Sequence, residues 1–180
     1  MSKKTKYTFI DLFAGAGGLS EGFIRAGYTP IVHIEMDKSA CDTLRTRTAF
    51  HYLKNQGKID VYKDYLLHKK ENESGQKLWD IVPAPVMNSV LHQTIGADTI
   101  NEIFEKVDQL KGDKQVDVII GGPPCQAYSI VGRSRMGKRV LDDPRNELYK
   151  YYVMFLERYS PQMFVFENVL EYIRLKTVGR

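Results

Sequence analysis

The sequence is poor in several things, and each shortage excludes a class of protein. Its 180 residues hold two cysteines, Cys41 and Cys125, too few for a disulfide framework, so a reducing compartment fits best. No apolar run approaches the roughly 18 residues that a membrane span needs. The opening MSKKTKYTFIDLFAGAGG is not a secretory leader, because Asp11 and then glycines break its apolar part. There is no internal repeat and no low-complexity tract. The four histidines show no metal-ligand spacing, and no metal is expected. A net charge of +4 permits a nucleic-acid partner without demanding one. The expectation is a cytoplasmic protein with no membrane partner.

What remains is an ordinary globular mix, 43% hydrophobic and 27% charged, in a length of about one domain. Tyr7 to Phe13 reads as a buried strand, and Gly15, Gly17 and Gly18 break it. Leu19, Phe23 and Ala26 follow at helical spacing, with Gly27 as the stop. Pro30 to Glu35 reads as a second strand. Lys38 to about Tyr52 reads as a helix with Cys41, Leu44 and Thr48 on one face. Residues 54–93 mix charge runs with a proline-rich piece and read as a surface insertion, exposed around Glu71 to Gln76. Ile100, Ile103, Phe104, Val107 and Leu110 form a helical stripe, and Val116 to Ile120 a short apolar strand. Asp143-Pro144 looks like a helix start. Leu148, Tyr152, Phe155, Leu156 and Tyr159 continue an amphipathic helix, and Met163 to Phe166 is a further strand. Strands alternating with helices over short links predict an α/β fold with a mostly parallel sheet and helices on both faces.

The stretch FIDLFAGAGGLS is a strand, a glycine turn and a helix start, where a backbone can approach a ligand closely. The dinucleotide fingerprint G-x-G-x-x-G is not met: Gly15 and Gly17 fit, but Ser20 stands in the third place. A carboxylate that holds ribose hydroxyls is expected about 20 residues on, at the end of the next strand. Glu35 stands 20 residues after Gly15 and closes PIVHIE. A ribose-bearing ligand follows; the bland alternative is a tight turn and a surface acid.

GGPPCQAYS, residues 121–129, directly follows the apolar VDVII strand. Parallel sheets bind ligands at their carboxyl edge, so Cys125 belongs beside the glycine loop. Pro123 and Pro124 stiffen its approach. A thiol so presented is a candidate nucleophile, whereas Cys41, on a helix face, reads as a small buried apolar residue. Glu167 closes another strand and should project at the same edge. One zinc chemistry comes close: H-x-E followed by P-C-x-x-C. His33-Ile34-Glu35 and Pro124-Cys125 match, but Tyr128 takes the place of the second cysteine, and three ligands cannot be assembled.

In this order DLFAGAGG, the strand-ending Glu35, GGPPCQAYS and FENV resemble the cytosine-5 methyltransferases that act on DNA. The resemblance covers most of the chain apart from 54–93. It implies a Rossmann-like methyltransferase fold and S-adenosylmethionine as the ribose-bearing cofactor. It places the methionine part against Phe13, Gly15, Gly17 and Gly18, the ribose on Glu35, and the adenine face on Met36. An acid after the third strand should hold the adenine amino group, and Asp98 in IGADTI is the match. Pro124 and Leu148 resemble further cofactor-lining positions. Cys125 would be the nucleophile that attacks C6 of cytosine, Glu167 the group on N3, and Arg145 a neighbour of the base pocket. The substrate implied is double-stranded DNA with the target cytosine flipped out of the stack. Residues 126–142, with Arg133, Arg135, Lys138 and Arg139, resemble a mobile catalytic lid; the bland alternative is a solvated charged loop.

After ENV the family pattern continues into a Q-x-R-x-R segment, a target-recognition region and a C-terminal return, none of which is found up to Arg180. Residues 1–180 therefore read as the N-terminal part of a catalytic domain, incomplete without a second chain or a C-terminal half. Exposed apolar surface near the C-terminus is expected. The alternatives are a tRNA cytosine-5 methyltransferase, a cofactor-binding module without catalysis, and a plain nucleotide binder.

Overall fold

In the computed structural model, residues 7–68, 76–123 and 147–167 are described. The β-rich runs become strands of one parallel sheet in the order β3-β2-β1-β4-β5, where β1 is Thr8–Leu12, β2 Thr29–Glu35, β3 Val90–His92, β4 Val118–Gly121 and β5 Met163–Phe166. All five residues of β1 are buried, as a central strand covered on both faces requires. Leu12 lies opposite Ile34 of β2 on one side and Gly121 of β4 on the other. The strand order reverses between β1 and β4, so the crevice beyond their carboxyl ends is the topological switch point of the sheet.

Helices α1 (Gly18–Arg25), α2 (Lys38–Asn55), α6 (Ile100–Lys111) and α7 (Leu148–Tyr159) cover the sheet. On one face Ile10, Leu12 and Ile34 pack with Ile103 and Val107 of α6 and Phe155 of α7. On the other, Phe9, Val118 and Ile120 pack under Leu19, Phe23 and Ile24 of α1. The buried Tyr152 hydroxyl lies 3.0 Å from the Ile119 carbonyl and 3.1 Å from that of Val165, which ties α7 to β4 and β5. The α/β architecture, the helical stripe of α6 and the strand Met163–Phe166 are as the sequence predicts.

The segment 54–93 departs from its reading as a surface insertion. It carries α3 (Ile59–Leu67), α4 (Gln76–Asp80) and α5 (Ala84–Met87), and it contains the third strand of the sheet, β3. Leu78 and Val82 are buried against Ala49 and Leu53 of α2, a second small core. Short helices and a three-residue strand leave too few repeats for a period to show in the sequence. Asp143-Pro144 lies outside the described residues, and the helix is described from Leu148.

Candidate active site

β1 leaves the sheet through a run of left-handed steps. Phe13 has φ 56°, Gly15 φ 55° and Gly17 φ 81°. Phe13 is not a glycine, so it is held there at a cost in strain, a condition that clusters at ligand sites. Gly17 is buried at φ 81°, and a Cβ on it would stand 2.7 Å from the end of the Leu44 side chain, so α2 would have to repack there. Gly18 opens α1 and is exposed, with open space where a Cβ would lie.

Glu35, at the end of β2, holds this loop. Its Oε2 accepts the Gly15 N–H at 2.7 Å. Its Oε1 accepts from Met36 at 2.8 Å and Asp37 at 2.7 Å. A carboxylate offers about four acceptor positions. Three are used by backbone, which leaves one on Oε2 for a ligand hydroxyl. The residues present therefore fit a ribose-bearing cofactor such as S-adenosylmethionine: Glu35 holds the loop and keeps an acceptor position that a ligand hydroxyl could use. Met36 is 60% exposed, which frees its side chain to pack on a flat ring, and its carbonyl lies 3.0 Å from His92 Nε2. Asp37 caps α2 by accepting from the Ala40 N–H at 2.8 Å.

Asp98 is exposed in the turn before α6, six residues past the end of β3. The residue that directly follows β3 is Gln93, and its N–H donates to the Glu35 carbonyl at 2.9 Å.

The two glycines of GGPP have a steric role. A Cβ on Gly121, where φ is 140°, would fall 1.9 Å from the Leu12 carbonyl oxygen, and one on Gly122 would fall 2.4 Å from that of Glu167. Their absence lets the ends of β1, β4 and β5 close together. The Glu167 N–H donates to the Gly121 carbonyl at 3.0 Å, which sets this exposed acid beside the strand that leads to the cysteine. Leu148 is half-buried at the first turn of α7. Pro124, Cys125, Arg145 and the segment 126–142 lie outside the described residues.

Cys41 is fully buried on α2, 3.4 Å from the Glu35 carbonyl. Burial pushes its thiol up to about 11, with the Glu35 charge adding to the effect. It is a packing residue, as its helix position suggests. Among the described residues no cluster of three metal-ligating side chains occurs, and no helix is long and apolar enough to cross a membrane.

A family model described as C-5 cytosine-specific DNA methylase matches residues 7–74 and 87–177. The unmatched piece, 75–86, is narrower than the insertion expected at 54–93. The chain is 37% identical over 177 residues to the type II methyltransferase M.Bpa9945I of Bacillus paralicheniformis, covering 89% of this chain and 40% of that protein. It is 33% identical over 162 residues to M1.HphI of Haemophilus parahaemolyticus, covering 90% of this chain and 32% of that protein. The chain thus spans well under half the length of these relatives. A solved prophage-encoded protein (E. coli), described as a DNA modification methyltransferase, superposes with a TM-score of 0.54 at 26% identity, over 97% of this chain and 35% of its own. The motif order, the sheet and these matches agree: the chain belongs to the C-5 cytosine-specific DNA methylase family.

Proposed function

We propose that this chain carries the cofactor-binding and base-activating part of an enzyme that methylates C5 of cytosine in double-stranded DNA, in a restriction–modification system or as an orphan methylase. The observation that carries the reading is the packing of Glu167 against Gly122. It sets a carboxylate at the carboxyl edge beside the strand that runs into Pro-Pro-Cys. Gly15, Gly17, Gly18 and Phe13 hold the methionine part of S-adenosylmethionine, Glu35 a ribose hydroxyl and Met36 the adenine face, with Pro124 and Leu148 lining the site. When bound, S-adenosylmethionine supplies the electrophilic methyl group that C5 takes.

Cytosine C5 is too weak a nucleophile to take a methyl group unaided. Attack of the Cys125 thiolate forms an S–C6 bond and pushes the ring electrons toward C5. Glu167, hydrogen-bonded at N3, stabilises the charge that develops there. Removal of the C5 proton by a base then restores the ring double bond and expels Cys125. The thiol can reach C6 only if the base leaves the stack, with Arg145 beside its pocket and the basic residues of 126–142 on phosphates. The work takes place in the cytoplasm, and a second chain or further polypeptide completes the domain.

Covalent trapping tests this. The chain is incubated with S-adenosylmethionine and duplex DNA containing 5-fluorocytosine, which lacks the C5 proton that elimination needs. A protein–DNA adduct that disappears in Cys125→Ser is the expected result. Methyl transfer that survives Cys125→Ser would sink the covalent mechanism, and transfer to tRNA alone would move the substrate to RNA.

A further inference from the structure

We propose that Tyr152 is a positioning residue for Glu167: its hydroxyl, shared between the backbone carbonyls of Ile119 and Val165, fixes the spacing at which β4 and β5 bring their carboxyl ends to the target base. The inference deepens the reading of Glu167 given above and rests on it. No sequence motif marks Tyr152, which stands in the stripe of α7 as one more large ring.

The first argument is that packing does not need the hydroxyl. Tyr152 is 2% exposed, and its ring meets Phe166 edge-on at 5.0 Å and Phe164 at 6.4 Å. A phenylalanine would make the same contacts and would spare the cost of taking a hydroxyl out of water. What the tyrosine adds is one O–H set between two strands. It lies 3.0 Å from the Ile119 carbonyl and 3.1 Å from that of Val165. A single donor at near-equal distance from both holds the two strands to one separation. Burial pushes the phenol's pKa up, with the charge of Asp11 adding to the effect, so the group stays a donor at any working pH.

The second argument is where those carbonyls lie. Ile119 stands two residues before Gly121, and Val165 two before Glu167. Two residues along a strand are about 6.6 Å, one repeat of the pleat. One repeat beyond the hydroxyl, the Glu167 N–H meets the Gly121 carbonyl at 3.0 Å. The Glu167 carbonyl then lies so near Gly122 that a Cβ there would fall 2.4 Å from it. Among the described residues β5 pairs with β4 alone, so its lateral place depends on that one ladder and on the helix above it. Glu167 therefore takes its position one rung past the contact that Tyr152 makes. A group that must meet one ring nitrogen as charge develops tolerates little error, and a misplacement of about 1 Å can cost roughly 100-fold in rate.

The test compares Tyr152→Phe with Phe155→Leu in the full chain. Phe155 is buried on the same helix but meets Phe104 of α6, at 4.8 Å, so its truncation loosens α7 without removing the hydroxyl. Two quantities are read: hydrogen exchange of the Glu167 amide by NMR, and the rate of adduct formation on 5-fluorocytosine DNA at saturating S-adenosylmethionine. Tyr152→Phe should speed exchange at Glu167 and slow the adduct by roughly 10–100-fold, with S-adenosylhomocysteine affinity unchanged by calorimetry. Phe155→Leu should lower the urea midpoint and leave both quantities near wild type. Exchange at Glu167 that ignores Tyr152→Phe, or that responds equally to Phe155→Leu, overturns the positioning role. A wild-type adduct rate in Tyr152→Phe does the same and leaves the reading of Glu167 intact. Wild type that forms no adduct overturns the base-activating reading of this chain, and the exchange comparison alone then decides whether Tyr152 places Glu167.

Discussion

Glu35 has two tasks, and they can be separated. Three backbone N–H groups, from Gly15, Met36 and Asp37, depend on its carboxylate. Glu35→Ala should therefore cost about 1–3 kcal/mol in urea unfolding, besides weakening S-adenosylhomocysteine binding. A binding loss at unchanged stability would mean that the loop does not need the carboxylate. Gly122 sets a different test. An added methyl group cannot fit against the Glu167 carbonyl, so Gly122→Ala should cost about 1–3 kcal/mol and displace Glu167. Cofactor binding should survive while the fluorocytosine adduct is lost. Cys41 gives a pH prediction. Its thiol titrates at about 11 in the fold, above its ordinary value of 9.0, because burial disfavours the thiolate. Between those values the native state holds more protons than the unfolded one, so stability falls as pH rises through the window. In Cys125→Ser, alkylation of Cys41 should be slow at pH 8 in the folded protein and fast in urea.

At the scale of elements, α6 and α7 are joined by more than apolar packing. Arg158 pairs with Asp108 and lies 4.8 Å from the centre of the Phe104 ring, and the Tyr159 hydroxyl donates to the same carboxylate at 3.0 Å. The hydrogen bond from Arg158 holds the Asp108 carboxyl below its usual range, partly offset by burial. A depressed acid stabilises the fold above its unfolded value of 3.8 and stops doing so as pH falls through its folded value. Asp108→Asn should thus be less stable than wild type near pH 7, by at most about 1 kcal/mol because the pair is half exposed, and the gap should close in acid. Chemical denaturation at both pH values reads it. The second core beside α2 is tested by Leu78→Ala, which should cost about 2–5 kcal/mol. An ordinary surface loop would lose almost nothing.

At the scale of the whole molecule, the described residues cover the sheet unevenly. β5 ends the sheet, and among the described residues no strand pairs with its outer side. Phe164 is 55% exposed, and Met163, Val153 and Met154 of β5 and α7 are exposed with it. An open strand edge beside apolar side chains invites association. The chain alone should sediment above its 20.7 kDa monomer mass, and Phe164→Lys with Val153→Glu should lower that mass. A monodisperse wild-type monomer would mean that this face needs no cover.

The sequence by itself determined the α/β class, the carboxyl-edge placing of the glycine loop, and Glu35 as the acid that answers it. It could do so because these depend on local periods and on spacings within one βαβ unit, where neighbours in sequence are neighbours in space. Cys125 and Arg145 were named from motif and resemblance, and their geometry lies outside the described residues. The tertiary structure decided the rest. β3 is three residues long and carries no period, and only pairing with β2 makes it a strand. Gln93 has no motif, and only the register of β3 sets it against Glu35. In the sequence Gly121 and Gly122 only open GGPPCQAYS, and what requires them is the approach of Leu12 and Glu167, which are distant in sequence. Contacts between residues far apart along the chain leave no local pattern, so they emerge only when the sheet is assembled.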